Sequence, residues 1–162
     1  RLAKELLEKA CNENTGRGDY SLKSFSRIDL LDCILENKTS EILSSKKQLC
    51  LFGAGGCGST ISSILLDLDL PPACVCDNKV KPSDSHDSFN GIPLVPFKEL
   101  SEEHKDDYIL VTARSTFFSE IRDQLLNNGF PADRIINPEN FFFVYPTFWA
   151  PSEYNIPGLK IK

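Results

Sequence analysis

Hydrophobic positions along this chain follow two alternating rhythms. Short continuous apolar runs, among them Leu49-Cys50-Leu51-Phe52, Ala73-Cys74-Val75-Cys76 and Tyr108-Ile109-Leu110-Val111, suit strands covered on both faces. Between them the apolar residues recur at helical intervals. Ile61, Ile64, Leu65 and Leu68 fall at i, i+3, i+4 and i+7, and Phe117, Phe118, Ile121, Leu125 and Leu126 mark a second stripe. The pattern predicts strands over 48–52, 73–77, 108–111 and 135–137, with helices over 58–68 and from Phe117 to Leu126. Pro71-Pro72 is expected to stop the first helix, and Asn127-Asn128-Gly129 to cap the second. A polar, turn-rich loop is expected over 78–88. Asn90-Gly91 then gives a turn into a short strand, which Pro93 confines to an edge or to non-ladder positions, and Pro96 starts a short helix through about Glu103. Strands alternating with helices imply parallel pairing through right-handed crossovers, hence an α/β fold with a mostly parallel sheet.

The two ends read differently. Residues 1–12 predict a helix with Leu2, Leu6 and Leu7 on one side, closed by the polar turn 12–16. A second helix is predicted from about Ser26 to Ser44, with Ile28, Leu31, Leu35 and Ile42 as its stripe and Ser26 and Asp29 placed for a capping start. Residues 1–46 are therefore an N-terminal helical appendage whose apolar sides need the sheet or another subunit. The sheet domain spans 47–138. The tail, 139–162, carries Phe141-Phe142-Phe143-Val144-Tyr145 and Phe148-Trp149, too aromatic for a free end. It is expected to pack on the domain, with a homodimer contact or a junction to a fused catalytic domain as alternatives.

Candidate chemistry centres on Gly53-Ala54-Gly55-Gly56-Cys57-Gly58, between the first strand and its helix. Gly53, Gly55 and Gly58 fit G-x-G-x-x-G: one glycine for the turn, one for close approach of a phosphate, one for helix–strand packing. Asp77 follows the second strand, 19 residues after Gly58, where an acidic residue meets ribose hydroxyls. In parallel sheets ligands sit beyond the carboxyl ends of the strands, which puts the glycine turn, Asp77-Asn78 and Thr112-Ala113-Arg114-Ser115 on one rim. Arg114 is a candidate for a phosphate or carboxylate. On this reading Asp77→Ala weakens a ribose-bearing ligand and leaves folding nearly intact. A P-loop is excluded because Ser59 stands where its lysine belongs. The same glycine turn and acidic strand tip also suit an S-adenosylmethionine site.

Composition narrows the classes further. With 41% hydrophobic and 25% charged residues in 162, the chain is an ordinary globular domain. A net charge of −5 without a basic cluster argues against a nucleic-acid binder, and no apolar stretch is long enough to span a membrane. The six cysteines read as small core residues in a reduced, cytoplasmic setting. Cys74-x-Cys76 lacks zinc-knuckle spacing and His86 and His104 are distant in sequence, so no metal site is expected. Cys57, near a helix start, is a candidate for a lowered pKa. Arg17-Gly18-Asp19 reads as a plain turn and His86 as a solvated loop residue. The chain starts at Arg1 and contains no methionine, so it is expected to be a piece of a longer protein.

Residues 48–138 resemble a Rossmann-like module of carbohydrate and polysaccharide biosynthesis proteins, found beside nucleotide-sugar dehydratase, FkbM-type methyltransferase and sugar acetyltransferase domains. The likeness is carried by Leu51-Phe52-Gly53-Ala54-Gly55, Asp77-Asn78, Gly91-Ile92-Pro93-Leu94, Val111-Thr112-Ala113 and Gly129-Phe130. It implies a Rossmann-like three-layer fold that binds NAD(P), a nucleotide sugar or a similar nucleotide, with Gly53, Gly55, Gly58 and Asp77 facing the ligand. Sugar dehydrogenases of the short-chain kind carry Tyr-x-x-x-Lys. None of the four tyrosines here has a lysine four residues on, so no catalytic residue is assigned. A methyltransferase or small dehydrogenase, and a non-catalytic assembly module with an empty glycine turn, are the alternatives.

Overall fold

The computed structural model describes residues 27–84, 87–139 and 141. The helix expected over 1–12, the Arg17-Gly18-Asp19 turn, the start at Ser26, Cys11, His86 and the tail beyond Phe141 lie outside the described residues. Helices α1 (Arg27–Ile34) and α2 (Thr39–Ser44) precede β1 (Leu49–Phe52), α3 (Gly56–Asp67) and β2 (Cys74–Cys76). A 3-10 turn, β3 (Ser88–Phe89), β4 (Ile92–Val95) and α4 (Phe97–Glu103) follow, then β5 (Tyr108–Val111), α5 (Ser115–Asn127) and β6 (Ile135–Ile136). The six-stranded sheet has the order β3-β4-β2-β1-β5-β6. All pairs are parallel except β3–β4.

Every residue of β1, β2 and β5 is buried because alternate side chains feed two separate cores. Leu49, Leu51, Val75, Tyr108 and Leu110 meet Ile61, Ile64 and Leu65 of α3 together with Leu31, Ile34, Leu35 and Ile42. Cys50, Phe52, Cys74, Cys76, Ile109 and Val111 meet Leu100 of α4 and Ile121 and Leu125 of α5. Helices thus cover both faces, an arrangement compatible with a three-layer α/β fold. For residues 27–44 the expected partner is the sheet itself. Among the described residues no helix is long and apolar enough to cross a membrane.

Two local expectations change, and a third, the end of the first domain helix near residue 68, holds through a different device. The helix predicted from 26 to 44 is two helices, because Glu36 and Asn37 adopt left-handed φ values of 51° and 64° and Asn37 N–H reaches back to the Asp32 carbonyl. Helix α3 stops before Pro71-Pro72. Asp69 (φ 59°) and Leu70 donate to the Leu66 and Leu65 carbonyls, the double bond of a Schellman ending. The Arg27 guanidinium donates to the Leu68 and Asp69 carbonyls at that negative helix end. Finally, the loop over 78–88 ends in a strand. Asn90 and Gly91, both at positive φ, make a two-residue hairpin that pairs Phe89 with Ile92, so Pro93 lies one strand in from the sheet edge.

Tyr108 links sheet and helix: its hydroxyl donates to Glu41 Oε2 of α2. Burial first, then that bond, push the phenol up from its ordinary 10 to about 12. A raised folded pKa means the stability involved is intact below pH 10 and lost as pH rises through about 12. Tyr108→Phe is expected to cost about 1 kcal/mol near neutrality, since exposed Glu41 regains water. It should also blunt the loss of stability between those pH values. Urea titrations of both proteins at pH 8 and pH 11.5 check both effects.

Candidate functional site

After Phe52 the chain turns into α3 within Gly53-Ala54-Gly55. Gly53 has φ +133°, and a Cβ there would lie 2.8 Å from the Thr112 carbonyl carbon. A Cβ on Gly58 would sit 2.1 Å from the Gly53 oxygen, so α3 presses directly on the turn. A Cβ on Gly55 would meet nothing within 4 Å. The three glycines therefore divide as the motif requires: a strained turn, an open approach and a tight helix contact. Buried Thr112 fixes the turn from β5, its hydroxyl donating to the Gly53 carbonyl at 2.8 Å.

Asp77 holds the turn from β2. Its Oδ2 accepts the Ala54 N–H at 2.9 Å and its Oδ1 accepts the Lys79 N–H at 2.9 Å. The expectation that Asp77→Ala leaves folding nearly intact is therefore corrected. Two backbone N–H groups lose a charged acceptor, which is expected to cost about 2 kcal/mol. Thermal melting of the variant without ligand checks this.

The space in front of the turn is a cleft of about 320 Å³. Gly53, Gly55, Gly56 and Cys57 form one wall, Thr112, Ala113 and Arg114 the other, with Asp77, Lys79 and Phe117 around them. It lies between the carboxyl ends of neighbouring β1 and β5, whose following helices pack on opposite faces of the sheet, so the two connections diverge and leave a crevice. Helices α3 and α5 both begin there, with Gly55 and Arg114 at the N-cap positions, and neither has a side-chain cap bond. Lys79 and Arg114 outnumber Asp77 by one positive charge among the lining side chains. Both helix ends and both cations favour an anion.

Eight of the residues expected on the rim line the cleft, and Ser115 opens α5 beside it. Three do not. Ala54 packs against the core, Gly58 is buried under Gly53, and Asn78 turns to Gln124 of α5 in a reciprocal amide pair, both bonds 2.9 Å. Lys79 and Phe117 were missed. Lys79 is two residues past the acidic strand tip, and its backbone N–H is held by Asp77. Phe117 was counted in the apolar stripe of its helix, yet it is 52% exposed. Cys57 is not activated: burial pushes its thiol up, with only partial opposition from Arg114.

One group lies elsewhere. The register pairs Cys50 of β1 with Cys74 of β2, and His104 just after α4 joins them, one potential ligand atom from each lying within 4.8 Å of the others. The expectation of no metal site rests on the Cys74-x-Cys76 spacing and on the distance of His86 and His104 along the chain, whereas the fold brings His104 to Cys50 and Cys74. The partner across the strand was legible, since Cys50 and Cys74 each stand three residues before their strand-tip residues, Gly53 and Asp77.

No family of known proteins, no curated protein and no solved structure matches this chain. What the cleft can do follows from its own groups: oriented amides, two cations, a shared carboxylate and an exposed aromatic ring.

Proposed function

We propose that this is a Rossmann-like nucleotide-binding domain that takes NAD(P) or a nucleotide sugar through its phosphates. The observation that carries the reading is the open position in front of Gly55, at the start of α3, between two diverging strand-to-helix connections. The order of the parallel strands supports it. With β4, β2, β1, β5 and β6 renumbered among themselves the sheet runs 3-2-1-4-5, the order of a doubly wound nucleotide fold. Phosphate oxygens meet the α3 amides, with Arg114 and Lys79 as counter-charges. Each Asp77 oxygen, already holding one N–H, keeps acceptor capacity for a ribose hydroxyl. Phe117 offers a ring face to a base at the rim.

The cleft favours binding over chemistry. Its thiol is raised and its carboxylate is engaged by backbone, so among the described residues no lining side chain is poised as a general base. A place in carbohydrate biosynthesis, beside a fused catalytic domain, rests on the likeness of residues 48–138 to that module. The test is a thermal-shift and calorimetry panel of NAD, NADP, UDP-sugars, S-adenosylmethionine and inorganic pyrophosphate. A ligand at 100 times its Kd is expected to add about 2.7 kcal/mol of stability. A response to S-adenosylmethionine alone would replace this reading, and no response to any of them would overturn it.

A further inference from the structure

The thiols of Cys50 and Cys74 and the imidazole of His104 meet near the amino-terminal ends of β1 and β2, the end of the sheet away from the glycine cleft. We propose that they form a binding site for one zinc ion, with the two sulfurs and His104 Nε2 as protein ligands and a fourth position open to solvent. This site is independent of the nucleotide reading.

The donor set supports it first. Two thiolates and an imidazole suit zinc and not the oxygen-seeking magnesium or calcium. Distance supports it next. In a tetrahedral zinc site, with Zn–S about 2.3 Å and Zn–N about 2.0 Å, ligand atoms stand about 3.5–3.8 Å apart. Atoms already within 4.8 Å need to close by about 1 Å. Parallel strands in register hold the sulfurs side by side, so most of that movement falls to His104.

The surroundings of His104 complete the argument. Its Nδ1 lies 2.9 Å from Asp107 Oδ2, and Asp107 Oδ1 accepts the Gln48 N–H at 3.0 Å. A carboxylate anchored by backbone thus fixes the ring through Nδ1 and leaves Nε2 as the ligating nitrogen, the usual support of a metal-bound histidine. His104 and Asp107 side chains are each 14% exposed, which gives a buried pair of thiols an entrance.

Cobalt(II) titration of the chelator-treated, reduced protein tests the site, followed by zinc competition. One equivalent is expected, with a thiolate-to-cobalt charge-transfer band that zinc abolishes. His104→Gln, at the entrance and outside the core, is expected to weaken uptake at least tenfold, and Asp107→Asn by about 10–100-fold. Cys74→Ser should remove the charge-transfer band, while Cys33→Ser, at a buried thiol elsewhere, keeps it. Absence of the band in the parent protein would overturn the proposal. So would a band unchanged in a folded His104→Gln protein, or a Cys50–Cys74 disulfide that persists in the reduced, folded chain.

Discussion

Gly58→Ala is expected to lose about 3 kcal/mol or more of stability, enough to leave a marginal domain largely unfolded at 37 °C. The added methyl would sit 2.1 Å from the Gly53 carbonyl oxygen and 3.3 Å from Thr112 Oγ1. Neither neighbour is a flexible side-chain end that can swing aside. The Gly53 oxygen is held by the Thr112 hydroxyl, and the Gly53 N–H is held by the Cys76 carbonyl at 2.8 Å. Relief requires α3 to lift from the turn, which opens the contacts of Ile61, Ile64 and Leu65 with the sheet. Gly53→Ala should fail for a related reason, adding an unfavourable φ of +133° to contacts of 2.8 and 2.9 Å with residues 112 and 113. Urea unfolding measures both. A Gly58→Ala protein within 1 kcal/mol of the parent would mean that α3 does not bear on the turn.

The sequence announces this packing because each glycine role has a local signature: apolar run, glycine spacing, helical stripe. The mostly parallel sheet covered on both faces was legible to the same extent, since continuous apolar runs such as Tyr108-Ile109-Leu110-Val111 need helices on both sides, whereas the strand order was not. What escaped notice depends on partners distant along the chain. The break at Glu36-Asn37 is a backbone reversal in residues without glycine, carried by two left-handed φ values and the bond from Asn37 to Asp32. From the sequence Asn90-Gly91 reads as a turn into one strand. The two positive φ values make it a hairpin, and the second strand is just Ser88-Phe89. The spacing of Asp77 points to a charge facing a ligand, but its geometry is first a brace for Ala54. Cys50, Cys74 and His104 come from three elements, and no spacing rule along one segment joins them.

Gly55→Ala separates the ligand from the fold. At φ −99° alanine is an ordinary residue, and its methyl would meet no protein atom within 4 Å. The stability change is expected to stay within about 1 kcal/mol. The methyl instead occupies the space through which a phosphate approaches the α3 amides, so affinity for the ligand found in the panel should fall about 100-fold, or roughly 2.7 kcal/mol. Arg114→Ala and Lys79→Ala act on charge, not shape. Both side chains are exposed, so each is expected to lose about tenfold at low salt and less as salt screens the field. Calorimetry at two ionic strengths distinguishes the two effects, because the Gly55→Ala loss is steric and should be largely insensitive to salt. A Gly55→Ala protein that binds as tightly as the parent would place the phosphate elsewhere and leave the turn a packing device. The helix start would then serve only to let α3 leave the sheet at close quarters, as Gly58 already requires.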